Sequence, residues 1–171
     1  KYIYLQNKPV HWCTKCESSL AEAELETINH CTVNSHLIKM KITEQSISLL
    51  EKGIDMELNT DDISIAVWTS TIWSVPENYA VALSKSIKYV LLKNHNHSSS
   101  TEYVITSKKS FDMYAESFSH YSICVAVSAS TIVNLKVHMP LSPNRINSIY
   151  FDDFVNDSVG TGLVNISPAY G

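Results

Sequence analysis

The sequence is short of glycine, with four in 171 residues, and three of those four sit in the closing stretch DSVGTGLVNISPAYG. Neither a linker-like tract nor an internal repeat appears, so the chain reads as one domain with at most short appendages. Four cysteines are too few for a disulfide framework at this length. Positive charge is also lacking: 13 Lys and Arg against 17 Asp and Glu leave a net charge of −4. That excludes a domain that holds nucleic acid by electrostatics alone. Lysines 85, 88, 93, 108 and 109 could form a local patch, although a solvated face explains them as well. No apolar run approaches a membrane span, and no nucleophile elbow, P-loop or H-E-x-x-H occurs. The first residue is Lys1, with no basic and apolar leader after it. The expectation is a piece of a longer chain or a processed product, with no readable targeting signal.

A hydrophobic content of 44% supports a sizeable core. SLAEAELE, from Ser19 onward, alternates Ala21, Ala23 and Leu25 with Glu22, Glu24 and Glu26, which predicts a strand despite good helix formers. LIKMKI alternates too, with Lys39 and Lys41 outward. TEQSISLLEKG predicts a short helix capped by Thr43 and stopped by Gly53. DISIAVW predicts a strand with Ile63, Ile65 and Val67 on one face, and AVAL and IKYVLLK predict two more. NHNHSSST reads as a polar hairpin loop from which EYVIT returns. SKKSFDMYAESF reads as a helix starting at Ser107 or Ser110. YSICVAV, NLKVHM and IYFDDFV read as strands, and LSPNRINS as a turn. The sum is a β-rich α+β domain, most economically a closed or partly closed β-barrel with a few short helices.

Three places could carry chemistry. Cys13 and Cys16 in WCTKC form a C-x-x-C pair, half of a tetrahedral zinc site, with an idle or redox pair as the other readings. Cys31 and Cys124 stand alone and read as small buried hydrophobes. His95 and His97 alternate in a polar loop, where solvation is the simpler reading than metal. Asp152 and Asp153 are neighbours on an expected strand and face opposite sides, so they form no acid/base pair. The third place is VWTSTIWSVPENYAVAL, where Thr69, Ser70 and Thr71 lie between Trp68 and Trp73 at a strand end. Buried hydroxyls need partners; a small polar pocket would use them, while capping of nearby backbone would explain them equally well. Gly160 and Gly162 permit positive φ or close approach to a ligand.

Three stretches together resemble one family. KPVHWCTKCESSLAEAELE (8–26) is similar to the lead into the inserted editing domain of isoleucyl-tRNA synthetases, K-P-V-x-W-C-x-x-C-x-x-x-L-A-E-A-E-V-E. VWTSTIWSVPENYAVAL resembles that family's W-T-T-T-P-W-T-L-P-A-N-x-A-V-A-V, and DSVGTGLVNISPAYG its G-T-G-x-V-H-x-A-P-x-H-G. Order and spacing agree over essentially the whole chain, and Thr69-Ser70-Thr71-Ile72 favours the isoleucyl branch over relatives with T-T-R-P. Ile72 stands where the family has Pro, Ser70 and Ser74 where it has Thr, Asn165 where it has the V-H histidine, and Tyr170 where it has the later His.

The resemblance implies the class I synthetase Val/Ile/Leu editing-domain fold, over 19–171, after a linker at 1–18 that carries the half zinc motif. It implies hydrolysis of valyl-tRNA(Ile) within an enzyme that ligates isoleucine to tRNA. A hydrophobic pocket gains only about 1–3 kcal/mol from one methylene, so a second sieve that admits valine and excludes isoleucine is needed. Thr69, Ser70, Thr71 and, at the family's His position, Asn165 are the implied catalytic residues. Trp73 is the implied wall of the pocket, and Asn78, Gly160, Thr161 and Gly162 the implied substrate contacts. Zinc on Cys13 and Cys16 would need a second cysteine pair, expected with an acidic pair beyond Gly171. No cofactor is expected in this segment; zinc, ATP and Mg belong to the parent enzyme. The expected partner is the 3′ end of tRNA(Ile) carrying valine, with no membrane, in a cytoplasmic monomer. A catalytically degenerate editing-type domain, serving as a tRNA-binding or structural module, is the alternative. A small β-barrel ligand-binding protein is a third.

Overall fold

The computed structural model describes residues 3–5, 10–29, 32–96 and 101–168. Cys31, His97 and Tyr170, named above, lie outside the described residues. The chain divides into two compact units, Lys1–Val33 and Asn34–Gly171.

In the first unit, β1 (Trp12–Cys13) and β2 (Ser18–Ser19) form a short antiparallel hairpin. SLAEAELE does not continue as a strand: Glu22–Glu24 is a 3-10 turn. The Ala21 N–H donates to the Glu24 carboxylate at 2.7 Å, and the Glu24 N–H to the Ala21 carbonyl at 2.9 Å. The alternation offered only small alanines on its apolar face and buries none of them in the turn. With no core to face, local hydrogen bonding and helix propensity win.

The second unit is a mixed sheet built on long alternating or fully apolar runs. Its strands are β3 (His36–Lys41), β4 (Ile63–Thr69), β5 (Ala80–Leu83), β6 (Tyr89–Asn94), β7 (Tyr103–Ser107), β8 (Tyr121–Val127), β9 (Lys136–Met139), β10 (Ser142–Phe151) and β11 (Leu163–Ile166). Their order is β8-β6-β7-β4-β11-β5-β10-β9, and β3 pairs antiparallel with β4. Ile63, Ile65 and Val67 enter one buried cluster as expected, while Ala66 joins a second cluster with Val90, Leu92, Val104 and Phe118. The central strands are thus covered on both faces, which is why their sequences are mostly apolar at both alternating sets of positions. Each fully buried Ile, Leu or Val there contributes about 1.5–3 kcal/mol.

Strand pairing among the described residues does not close a barrel. β3 and β9 meet through one bridge, Ile42 with Val137, and through the Thr43 N–H donating to the Lys136 carbonyl at 2.9 Å. Lys39 does point outward, and it is met by Glu102, whose carboxylate also accepts from Tyr121 at 2.6 Å and Asn94 at 2.7 Å. Burial opposes the charge on Glu102, but these donors outweigh it and hold its carboxyl below the usual range.

Helices α1 (Glu44–Ile54), α2 (Lys108–Met113) and α3 (Ala129–Ile132) are short. Gly53 does not stop α1, which ends at Asp55 in the left-handed region at φ 53°. Gly53 instead gives room to Thr131, whose Cγ2 a Cβ would meet at 2.3 Å. Ser107 caps α2, accepting the Ser110 N–H at 3.0 Å. LSPNRINS is not a turn: it lies in β10, whose register shifts between Ser142 and Ile146. Pro143 sits in that irregular stretch, where a missing ladder donor is tolerated. IYFDDFV is strand only to Phe151, and Cys124 is exposed rather than buried. No helix of the described residues is long and apolar enough to cross a membrane.

Candidate functional site

β11 runs parallel to β4, with Val164 opposite Trp68, and antiparallel to β5, with Asn165 opposite Val81. The end of β4 therefore lies beside the start of β11. The hydroxyl run that leaves β4 and the glycine turn that enters β11 share a cavity of about 420 Å³. Thr69, Ser70, Thr71, Gly160, Thr161, Gly162 and Asn165 all line it. Residues some ninety positions apart in sequence are joined there by strand register alone.

The glycines are required by shape. Gly160 and Gly162 have φ of 85° and 72°, which L side chains rarely adopt. A Cβ on Gly160 would lie 3.1 Å from Trp68 Cβ, and one on Gly162 3.1 Å from Ser107 Cβ. The turn is tied down by the Tyr114 hydroxyl, which accepts the Gly160 N–H at 3.1 Å, and by the Ser107 N–H, which donates to the Thr161 carbonyl at 2.9 Å. The Thr161 side chain is turned inward onto the Leu163 carbonyl at 3.1 Å.

The hydroxyl run has a direction. Ser74 Oγ donates its one proton to the Thr71 carbonyl at 2.7 Å. Thr71 Oγ1, 3.2 Å from Ser74 Oγ, is then the donor between those two. Thr69 Oγ1, 3.3 Å from Thr71 Oγ1, donates in turn and accepts the Thr71 N–H at 3.1 Å. What this side has left for the cavity is acceptor capacity. The Ser70 hydroxyl has no hydrogen-bond partner among the described residues, so it alone in the run is free both to donate and to accept.

Two expected site residues lie elsewhere. Trp73 is 66% exposed on the 3-10 turn Ile72–Glu77 and does not line the cavity. The turn carries its indole outward, and the sequence pattern could not show that. Asn78 is 0% exposed and also off the lining; it stands behind it and donates to Asn165 Oδ1 at 2.5 Å. The sequence reading missed Phe154, Val155, Val159 and Ser167, which line the cavity. The only local signal was the turn chemistry before Gly160, where Asn156 Oδ1 accepts the Ser158 N–H at 3.1 Å. No Asp, Glu, His, Lys or Cys is among the described lining residues.

In the first unit, Cys13 Sγ accepts the Cys16 N–H at 3.4 Å. That bond and a second from the Lys15 backbone hold the Cys13 thiol below its ordinary value. Two thiols on a tight hairpin, one already receiving backbone N–H groups, are a donor set that suits half of a zinc site. The described residues contain no group of three or more potential metal ligands. His95 bonds to Ser122 at 2.6 Å.

No protein-family model matches the chain. The chain is 35% identical over 175 residues to an isoleucine–tRNA ligase of Vesicomyosocius okutanii, covering 99% of this chain and 16% of that protein. It is 34% identical over 171 residues to one of Buchnera aphidicola (99% and 17%) and 31% identical over 174 residues to one of Synechocystis (99% and 17%). The chain thus spans about a sixth of the length of the curated relatives it matches. Among solved structures it is similar to GlLeuRS-CP1, with a TM-score of 0.63 at 15% identity over 79% of this chain and 55% of that one. The Plasmodium knowlesi cytosolic leucyl-tRNA synthetase editing domain gives 0.60 at 13% identity over 77% and 56%. These two likenesses concern the fold.

Proposed function

The chain is homologous to the inserted editing segment of the isoleucine–tRNA ligases, and from that premise we propose that its cavity hydrolyses the ester of valine mistakenly joined to tRNA(Ile). The observation that carries this reading is the meeting of Thr69–Ser70–Thr71 with the Gly160–Gly162 turn and Asn165 around one recess of about 420 Å³. The recess has a volume suited to a small side chain and its ester rather than to a large cofactor. The ammonium group of the amino acid would face the acceptor side of the hydroxyl run. Ser70, with an uncommitted hydroxyl, would hold the attacking water. An ester with a good leaving group asks less of a base than an amide does, and the neighbouring ribose hydroxyl of the tRNA can assist.

With Trp73 outside, the size limit falls to the apolar lining. Val155 and Leu163 are buried there and cannot retreat. One extra methylene against such a wall discriminates by about 1–3 kcal/mol. In the parent protein we place this step beside isoleucine ligation driven by ATP and Mg, in a cytoplasmic monomer. There Cys13 and Cys16 would supply two of four zinc ligands. Zinc would tie the hairpin to a segment beyond this chain.

One observation favours a second reading, a binding or structural module that has lost hydrolysis. The described lining carries no titratable side chain apart from hydroxyls, and the Asn165 amide is engaged on both of its heavy atoms. Deacylation of valyl- and isoleucyl-tRNA(Ile) by the protein that carries this chain separates the two. Faster loss of valine than of isoleucine supports hydrolysis. Equal loss of both at the buffer rate supports the module.

A further inference from the structure

A line of side-chain amides runs behind the cavity from β10 to Asn165. Asn147, buried on β10 and absent from the cavity lining, donates from Nδ2 to Asn78 Oδ1 at 2.5 Å and to the Asn78 backbone carbonyl at 3.0 Å. Asn78 donates from Nδ2 to Asn165 Oδ1 at 2.5 Å and to the Ala80 carbonyl at 2.7 Å. Asn165 donates from Nδ2 to Ser167 Oγ at 2.7 Å, and Ser167 Oγ donates to the Ser74 carbonyl at 2.8 Å.

The direction of this line is not free. A backbone carbonyl can only accept, so the Ala80 carbonyl fixes which end of the Asn78 amide is nitrogen, and the Asn78 carbonyl does the same for Asn147. Every later bond follows from those two anchors: Asn165 must turn its oxygen to Asn78 and its nitrogen to Ser167. One N–H of that nitrogen is used by Ser167. The other has no partner among the described residues and belongs to a side chain that lines the cavity.

We propose that Asn147 is a positioning residue that, through Asn78, sets the Asn165 amide so that the cavity receives an N–H donor beside the acceptor side of the hydroxyl run, on the strand paired with β4. The ligand group that meets it is a carbonyl oxygen, namely that of the aminoacyl ester. This rests on the editing reading above and adds to it a polarity: ammonium toward Thr69 and Thr71, carbonyl toward Asn165. A donor at the carbonyl strengthens as negative charge grows on that oxygen during attack, so it acts on the transition state more than on binding. Asn165 in this role is no base.

The test uses two ligands on the protein that carries this chain, both with the α-ammonium group: adenosine bearing a 3′-valylamide, and its trans-alkene isostere, which keeps the shape and lacks the carbonyl. Isothermal titration should give about tenfold tighter binding of the amide. In Asn147→Asp a carboxylate oxygen replaces the donor facing Asn78. The carboxylate repels Asn78 Oδ1 against the hold of the Ala80 carbonyl, the Asn78 and Asn165 amides lose their set positions, and the preference for the amide disappears at neutral pH. It returns on acidification as the new carboxyl is protonated, because a carboxylic acid again donates. A merely structural role for Asn147 would not restore a carbonyl preference with acid.

Equal binding of the two ligands by the unsubstituted protein overturns the proposal, as does full retention of the preference by Asn147→Asp at neutral pH. Binding of neither ligand removes the editing reading and this inference with it, an outcome distinct from both. Should Asn147→Asp fail to fold, side-chain amide exchange in the unsubstituted protein decides. Slow exchange for Asn78 and Asn147, with one fast proton on Asn165, is expected. Two slow protons on Asn165 overturn the proposal.

Discussion

Tyr89 donates its phenolic hydrogen to the carbonyl oxygen of Gly162 across 2.7 Å, which ties a core strand to the turn that forms one wall of the cavity. The Tyr89 phenolic oxygen in turn accepts the Ser84 N–H at 3.1 Å. Tyr89→Phe leaves a buried carbonyl and a buried N–H without partners while changing little in shape. A loss of about 1–3 kcal/mol is expected by urea unfolding. A loss below a few tenths would mean that water replaces the hydroxyl.

Burial also pushes the Tyr89 phenol up to about 12. The sign follows from linkage: the unfolded phenol ionises near its ordinary ~10 while the folded one keeps its proton. The stabilisation from Tyr89 is therefore complete below pH ~10 and is lost as pH rises toward 12. Unfolding followed from pH 9 to 12 should show a steeper alkaline fall for the native sequence than for Tyr89→Phe. Parallel curves would assign the alkaline loss to Tyr103 and Tyr121, whose phenols burial also raises.

Gly162→Ala combines two faults at one position. The added Cβ would meet Ser107 Cβ at 3.1 Å and Ile87 Cγ2 at 3.2 Å, and φ is 72°. Ser107 and Ile87 are themselves packed, so neither yields cheaply. A destabilisation of about 1–3 kcal/mol is expected from strain and overpacking. A thermal midpoint within a degree of the native value would show that the turn can relax.

These positions mark what was legible in the sequence. Period-2 patterns located Ile63, Ile65 and Val67, which share one core cluster, and Lys39 and Lys41, which face away from the core, because burial enforces the register. The same pattern failed at Ala21–Leu25, where nothing buries the small side chains. Thr69–Thr71 and Gly160–Gly162 were visible as a rare concentration of hydroxyls and glycines. Their meeting depends on the pairing of β11 with β4, which lies outside any local window. Trp73 and Asn78 were misplaced for the same reason: a 3-10 turn with Pro76 inside decides which side chains face out and which face in.

Trp73→Ala tests that placement. An indole that is 66% exposed and off the cavity lining contributes little to selectivity. The ratio of valyl- to isoleucyl-tRNA deacylation should stay within about twofold of the native ratio, since no packed wall is removed. Entry of isoleucyl ester, seen as a collapse of that ratio toward one, would return Trp73 to the pocket.

Ser70 is the hydroxyl to which the proposed hydrolysis is most exposed. Thr69 and Thr71 are bound into the chain that ends on the Thr71 carbonyl, so their replacement by Ala should cost about 1 kcal/mol of stability along with activity. Ser70 makes no such bond. Ser70→Ala should leave the unfolding midpoint in place while lowering kcat for valyl-tRNA deacylation by about a hundredfold or more, the usual worth of a group that positions or activates a reacting proton. Ser70→Thr keeps the hydroxyl and should restore most of the rate. The contrast between the two substitutions separates a lost hydroxyl from a disturbed turn, because both alter the side chain and only one removes the donor. If Ser70→Ala deacylates at the native rate, the attacking water is held by another group, and the free hydroxyl of Ser70 has no part in the reaction.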